Sequence, residues 1–163
     1  MFRALPKSAA LMLLSMAIPL AVLPAAVVHA GVPGSTSATN TDEHGLALRG
    51  YDPVAYFVLG KPTQGKAQIS ATYAGAHYLF VSEADRKLFV SDPGKYLPQF
   101  GGFCAVGTAY GKKVDTDPTT GVVVNGKLYL NYNAKASLLF KKDTPGIIQH
   151  AQDNWPEVKN QAL

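Results

Sequence analysis

Cys104 is the one cysteine of the chain, and it follows Gly101-Gly102-Phe103. A lone thiol in a glycine-rich loop has three chemistries open to it. As a thiolate it can ligate a soft metal or react as a redox centre, and as a neutral thiol it packs like a small hydrophobe. The neighbouring glycines let the backbone turn tightly or let a ligand come close. One sulfur excludes an intramolecular disulfide, a Cys-x-x-Cys pair and any multi-cysteine zinc or iron-sulfur site. Any resolving thiol must come from another molecule. Met1, Met12 and Met16 are all the methionines, so the rest of the chain offers no thioether for copper(I). His77 is the candidate second ligand, and copper or zinc would suit a thiolate and an imidazole. Against this, a histidine in a strand is more often half-buried and hydrogen-bonded than ligating. His150 lies on the flank of an apolar stripe, and His44 belongs to a polar segment.

Asp52 precedes Pro53, the arrangement of a capping or turn residue, although its carboxylate could also serve a ligand. No second carboxylate lies close in sequence to make an acid/base pair with it. Tyr51, Asp52, Tyr78, Gly101 and Gly102 form the candidate ligand-binding set, and the plainer reading of the tyrosines is core packing with satisfied hydroxyls. No G-x-S-x-G elbow, P-loop or G-x-G-x-x-G is present. Without a complete catalytic constellation, the chain reads as a binding protein rather than an enzyme.

These residues are carried on short elements. Ile69 to Tyr73 and His77 to Val81 flank Ala74-Gly75 as a hairpin. A two-residue turn pairs Tyr73 with Ala76, Ala71 with Tyr78 and Ile69 with Phe80. Ser82 to Asp85 opens a helix as a capping-box variant, and Asp92-Pro93 starts a shorter turn. Asn125-Gly126, between Val122-Val123-Val124 and Lys127 to Tyr132, is the preferred type I′ hairpin signal, with Val123 opposite Leu128 and with Leu128, Leu130 and Tyr132 on one face. Asn133 caps a helix to about Lys142, and Thr144-Pro145 caps another that carries Ile148, Ala151 and Trp155 and ends at Pro156. Hairpins alternating with helices in this order describe a small α+β domain.

The 163 residues are 47% hydrophobic and 16% charged, and the apolar excess lies at the N-terminus. Residues 11 to 28 carry no charge, follow a start containing Arg3 and Lys7, and close on Val28-His29-Ala30. This is the pattern of a secretory signal peptide over residues 1–30, with cleavage after Ala30. Pro19 and Pro24 interrupt the run, which argues against a membrane anchor. Loss of Arg3 and Lys7 lowers the formal charge by two, from +4 to +2. No long run of Lys or Arg remains, so nucleic acid and membrane insertion are set aside as partners. Gly31 to Gly45 is rich in Gly, Ser, Thr and Asn and reads as a flexible lead-in to one domain over 46–163. The expected location is periplasmic or secreted.

The wording of the chain resembles the exported bacterial YHS domain-containing (seleno)protein family. The matching blocks are Gly50-Tyr51-Asp52-Pro53-Val54-Ala55-Tyr56-Phe57, Tyr78-Leu79-Phe80-Val81-Ser82, Asp92-Pro93-Gly94-Lys95-Tyr96, Gly101-Gly102-Phe103-Cys104-Ala105, Gly126 to Tyr132 and Asn154-Trp155-Pro156. Tyr78 and Ser82 look like two of the residues that name the domain. The resemblance implies a YHS-type fold, and the family name suggests selenocysteine near this region in some relatives, which favours a reactive Cys104. Related metal-binding domains carry cysteine after Asp-Pro-Val, where this chain has Ala55. The expectation is an exported, non-catalytic module that binds a metal or small ligand, or an unidentified protein, through Cys104. The alternatives are a thiol-dependent redox protein and a structural interaction module with a buried Cys104.

Overall fold

The computed structural model describes Met1 and residues 31–163; the leader assigned to residues 1–30 lies outside the described residues, apart from Met1. Among the described residues two antiparallel hairpins and six α-helices make an α+β fold. A short helix α1 (Ala55–Val58) precedes the first hairpin, β1 (Lys66–Tyr73) and β2 (Ala76–Phe80). Helices α2 (Glu83–Ser91), α3 (Pro93–Tyr96) and α4 (Ala105–Ala109) lead to the second hairpin, β3 (Asp117–Val124) and β4 (Lys127–Asn131). Helices α5 (Ala134–Lys142) and α6 (Thr144–Val158) follow. No helix among the described residues is long and apolar enough to cross a membrane.

β4 is the divider of the core, because successive side chains of a strand point to opposite faces. Leu128 and Leu130 face a cluster that contains Val54, Tyr56, Tyr78, Phe80 and Phe89. Tyr129 faces a second cluster with Phe100, Cys104, Phe140, Ile147 and Ala151. A strand buried on both faces anchors everything packed against it, and in this fold that includes the loop carrying Cys104, which bridges to Leu130.

The local signals for turns and caps match the observed elements closely. Asn125 and Gly126 have φ of 50° and 71°, and Val123 pairs with Leu128, as a type I′ turn requires. Ser82, Asp92 and Asn133 each accept a backbone N–H three residues on, from Asp85, Lys95 and Ala136.

Five details differ from the sequence reading. Phe80 pairs with Lys66 rather than Ile69, because β1 is irregular between Lys66 and Ser70; Ile69 still packs on the first cluster. β2 stops at Phe80, since the Val81 amide donates to Asp52 Oδ2. β4 stops at Asn131, where the Tyr132 amide turns to the sulfur of Cys104 and the Tyr132 ring is left exposed. Asp143 rather than Thr144 caps α6, accepting from Gly146 N–H, while the Thr144 hydroxyl donates back to Phe140 O. Helix α6 runs through Pro156 to Val158. So close to the end the missing proline N–H leaves a single bond unmade, and buried Val158 holds the final turn.

The largest correction concerns residues 31–45. This segment is a strap laid over the domain, not a free lead-in. Thr41 bridges to Ala47, the Asn40 amide donates to Gly101 O at 2.8 Å, and Leu163 N–H donates to Ser35 O at 3.0 Å. Hydrogen bonds to distant backbone hold it where its polar composition offers little to bury.

Candidate functional site

Three of the five residues chosen as a ligand set meet at one cleft. Tyr78 comes from β2, and Gly101 and Gly102 from the turn before Cys104. They line a cavity of about 80 Å³ together with Thr39 and Asn40 of the strap, Leu48, Tyr73, Leu97 and Pro98. Most of the lining residues are apolar or aromatic, and Thr39 and Asn40 are the polar side chains among them. Such a mixture of apolar wall and few polar groups is the usual make-up of a small-ligand site.

The glycines are there first for the strap. Gly101 has φ of 59°, a left-handed conformation that costs a residue with a Cβ. A Cβ on Gly101 would also collide with the Ala38 carbonyl. The backbone that approaches this loop closely is therefore the chain's own. Asn40 pins the crossing: its Nδ2 donates to Asp115 Oδ1 at 2.9 Å and to Gly102 O at 3.2 Å.

Tyr51 and Asp52 lie elsewhere. Tyr51 bridges to Gln64. Asp52 is fully buried, its Oδ1 accepting from Val54 N–H at 2.7 Å and Ala55 N–H at 3.3 Å, and its Oδ2 from Val81 N–H at 2.7 Å. Burial pushes its carboxyl up to about 6 against the pull of the Val81 and Val54 amides, and the neighbouring Asp85 carboxyl adds to the rise. Asp85, also buried, is the second carboxylate that sequence proximity did not reveal. Thirty-three positions separate the two in the chain, and only the packing of α2 against the Asp52 turn joins them.

Cys104 is 2% exposed and serves as the N-cap of α4. Its Sγ accepts from Gly107 N–H and Tyr132 N–H, both at 3.3 Å. Burial pushes the thiol up, and the amides of Gly107, Tyr132 and Val106 do not reverse this. A thiol held neutral in a core is a poor nucleophile and a poor metal ligand. His77 is on the exposed face of β2, where its Nδ1 shares a hydrogen bond of 2.9 Å with Thr72 Oγ1. The proposed metal pair is not assembled: Cys104 lies in the second cluster beside β4, while His77, on the first hairpin, bridges to Leu46. Among the described residues no group of three or more His, Cys, Asp or Glu side chains could hold a metal ion.

Sequence reasoning missed Asn40, Tyr73, Leu97 and Pro98 as cleft residues. A polar strap gives no periodic signal, and a cleft made by four separated segments leaves no motif. Comparison with protein-family models, with curated proteins and with solved structures finds no match to this chain.

Proposed function

We propose that this chain is an exported YHS-type module that binds rather than catalyses, with Cys104 as a structural cap and the cleft at Tyr78 as its ligand site. The observation that carries this reading is the convergence of Tyr78, Gly101 and Gly102 with Asn40 on one cavity. The buried, doubly hydrogen-bonded sulfur of Cys104 supports the structural role.

The size of the cleft limits its occupant. The cleft is small, about 80 Å³ against the roughly 150 Å³ of a closed cavity that binds benzene, so a short branched aliphatic group is the occupant to try first. The occupant is therefore a small molecule or a partner side chain ending in such a group. Titration with isobutanol and with N-acetyl-leucine amide, followed by amide and side-chain chemical shifts, tests this. Shifts should centre on Tyr73, Tyr78, Leu97 and Gly101 and disappear in Thr39→Leu, which fills the rim. Shifts scattered over the surface, or unchanged in that variant, would sink the assignment.

A further inference from the structure

The strap ends at a buried acceptor that has no donor. Asn40 is 5% exposed, and its Oδ1 has no hydrogen-bond partner among the described residues. The amide cannot simply be turned over, because Nδ2 already faces three oxygens, on Gly102, Asp115 and Thr116. A buried acceptor left unpaired costs free energy. The orphan oxygen faces Gly31, where an added Cβ would lie 3.0 Å from it. The same Cβ would meet the end of the Leu163 side chain, which would have to shift to admit it. Gly31 is also the residue that cleavage after Ala30 makes the new N-terminus.

We propose that hydrolysis of the Ala30–Gly31 bond creates an α-ammonium that docks on Asn40 Oδ1 and locks the strap across Gly101. The proposal rests on the reading of residues 1–30 as a cleaved leader. In the hydrolysis, water gives its hydroxyl to the Ala30 carbonyl, the C–N bond breaks, and the released Gly31 nitrogen ends as a protonated amine. A peptide nitrogen offers one N–H fixed in the peptide plane. The ammonium offers three donors that rotate about the N–Cα bond, and its charge strengthens the bond it makes. The nearest anion lies behind the amide: Asn40 Nδ2 donates to Asp115 Oδ1, and Asp115 Oδ2 is shared with Arg49 at 3.2 Å. Because the Asn40 backbone N–H is bonded to Gly101 O and Asn40 also lines the cleft, processing completes one wall of the cleft.

The experiment uses the full precursor, exported and purified, with its N-terminus read by intact mass. Protein beginning at Gly31 is compared with a form retaining Ala30 and with a form acetylated on Gly31. A charge-assisted hydrogen bond to the amine should slow its acylation roughly tenfold relative to a Gly-Val-Pro peptide. Exchange of the Asn40 amide should speed up roughly tenfold in the acetylated and Ala30-retaining forms, with Cys104 still protected and the fold intact. Acylation at the peptide rate, or exchange unchanged among the three forms, would overturn the docking even where the leader is cut as stated. A mass placing the N-terminus elsewhere would overturn the leader reading and the proposal together.

Discussion

Asp52 and Val81 are joined by a 2.7 Å hydrogen bond from the Val81 amide to Oδ2, and this bond ends β2 and starts the approach to α2. With Val54 and Ala55 on Oδ1, one carboxyl holds two turns together. Replacing it with a methyl group leaves buried donors unpaired, each costing about 1–3 kcal/mol. Asp52→Ala is therefore expected to lose roughly 3 kcal/mol or more of unfolding free energy, measured by urea denaturation.

The same residue sets a pH dependence. Its folded value of about 6 lies above the ordinary 3.8, so the folded state binds more protons than the unfolded state between those values. The contribution of Asp52 to stability is full below pH 4 and is lost as pH rises through 6. The Asp85 carboxyl beside it adds to the rise. Asp52→Asn, which cannot ionise, should flatten the denaturation midpoint across this window. An unchanged slope in the variant would show that another group is responsible.

Cys104 should react slowly with a thiol reagent in the folded protein at neutral pH, at a rate that neither copper nor zinc alters, and quickly in urea. Fast native labelling suppressed by metal would restore the ligand reading, and fast labelling indifferent to metal would restore the redox reading. Cys104→Ala removes the acceptor of Gly107 and Tyr132 and the α4 cap, at an expected cost of about 1–3 kcal/mol.

Gly101→Ala forces a Cβ onto the Ala38 carbonyl at a positive φ. The expected result is a loss of about 2 kcal/mol or more and release of the strap, seen as fast exchange of the Asn40 amide. Retained protection of Asn40 would place the anchor of the strap elsewhere.

The two hairpins share a turn but not its residues. Ala74 adopts φ of 48° where the second hairpin has Asn125 at 50°. Asparagine tolerates that conformation at less cost than alanine. Ala74→Asn should therefore raise stability by roughly 0.5–1 kcal/mol, visible as a higher thermal midpoint.

Much of the backbone was legible because its causes are local. Asn125-Gly126 demands its turn wherever it occurs, and Ser82, Asp92 and Asn133 cap helices through atoms three residues away. The alternation of β4 named Leu128 and Leu130 as one buried face, but Tyr129 and Asn131 are buried as well, because a second core closes over the other side of the strand. The errors arose where a local rule met a long-range bond. Phe80 ends its strand because Asp52 takes the next amide, and Tyr132 leaves its face because Cys104 takes its N–H.

By itself the sequence determined the α+β class, the Asn125-Gly126 turn, the caps at Ser82, Asp92 and Asn133, and a chemistry limited to a single sulfur. Tertiary structure decided what that sulfur does, since reactivity depends on burial and on amides from Gly107 and Tyr132 that no spacing announces. It also brought Asp85 to Asp52, and it brought Asn40 from a polar strap to Gly101 and Gly102. Turns and caps are settled within a few residues, whereas pKa, cavities and close backbone approaches arise only when separated segments exclude water together.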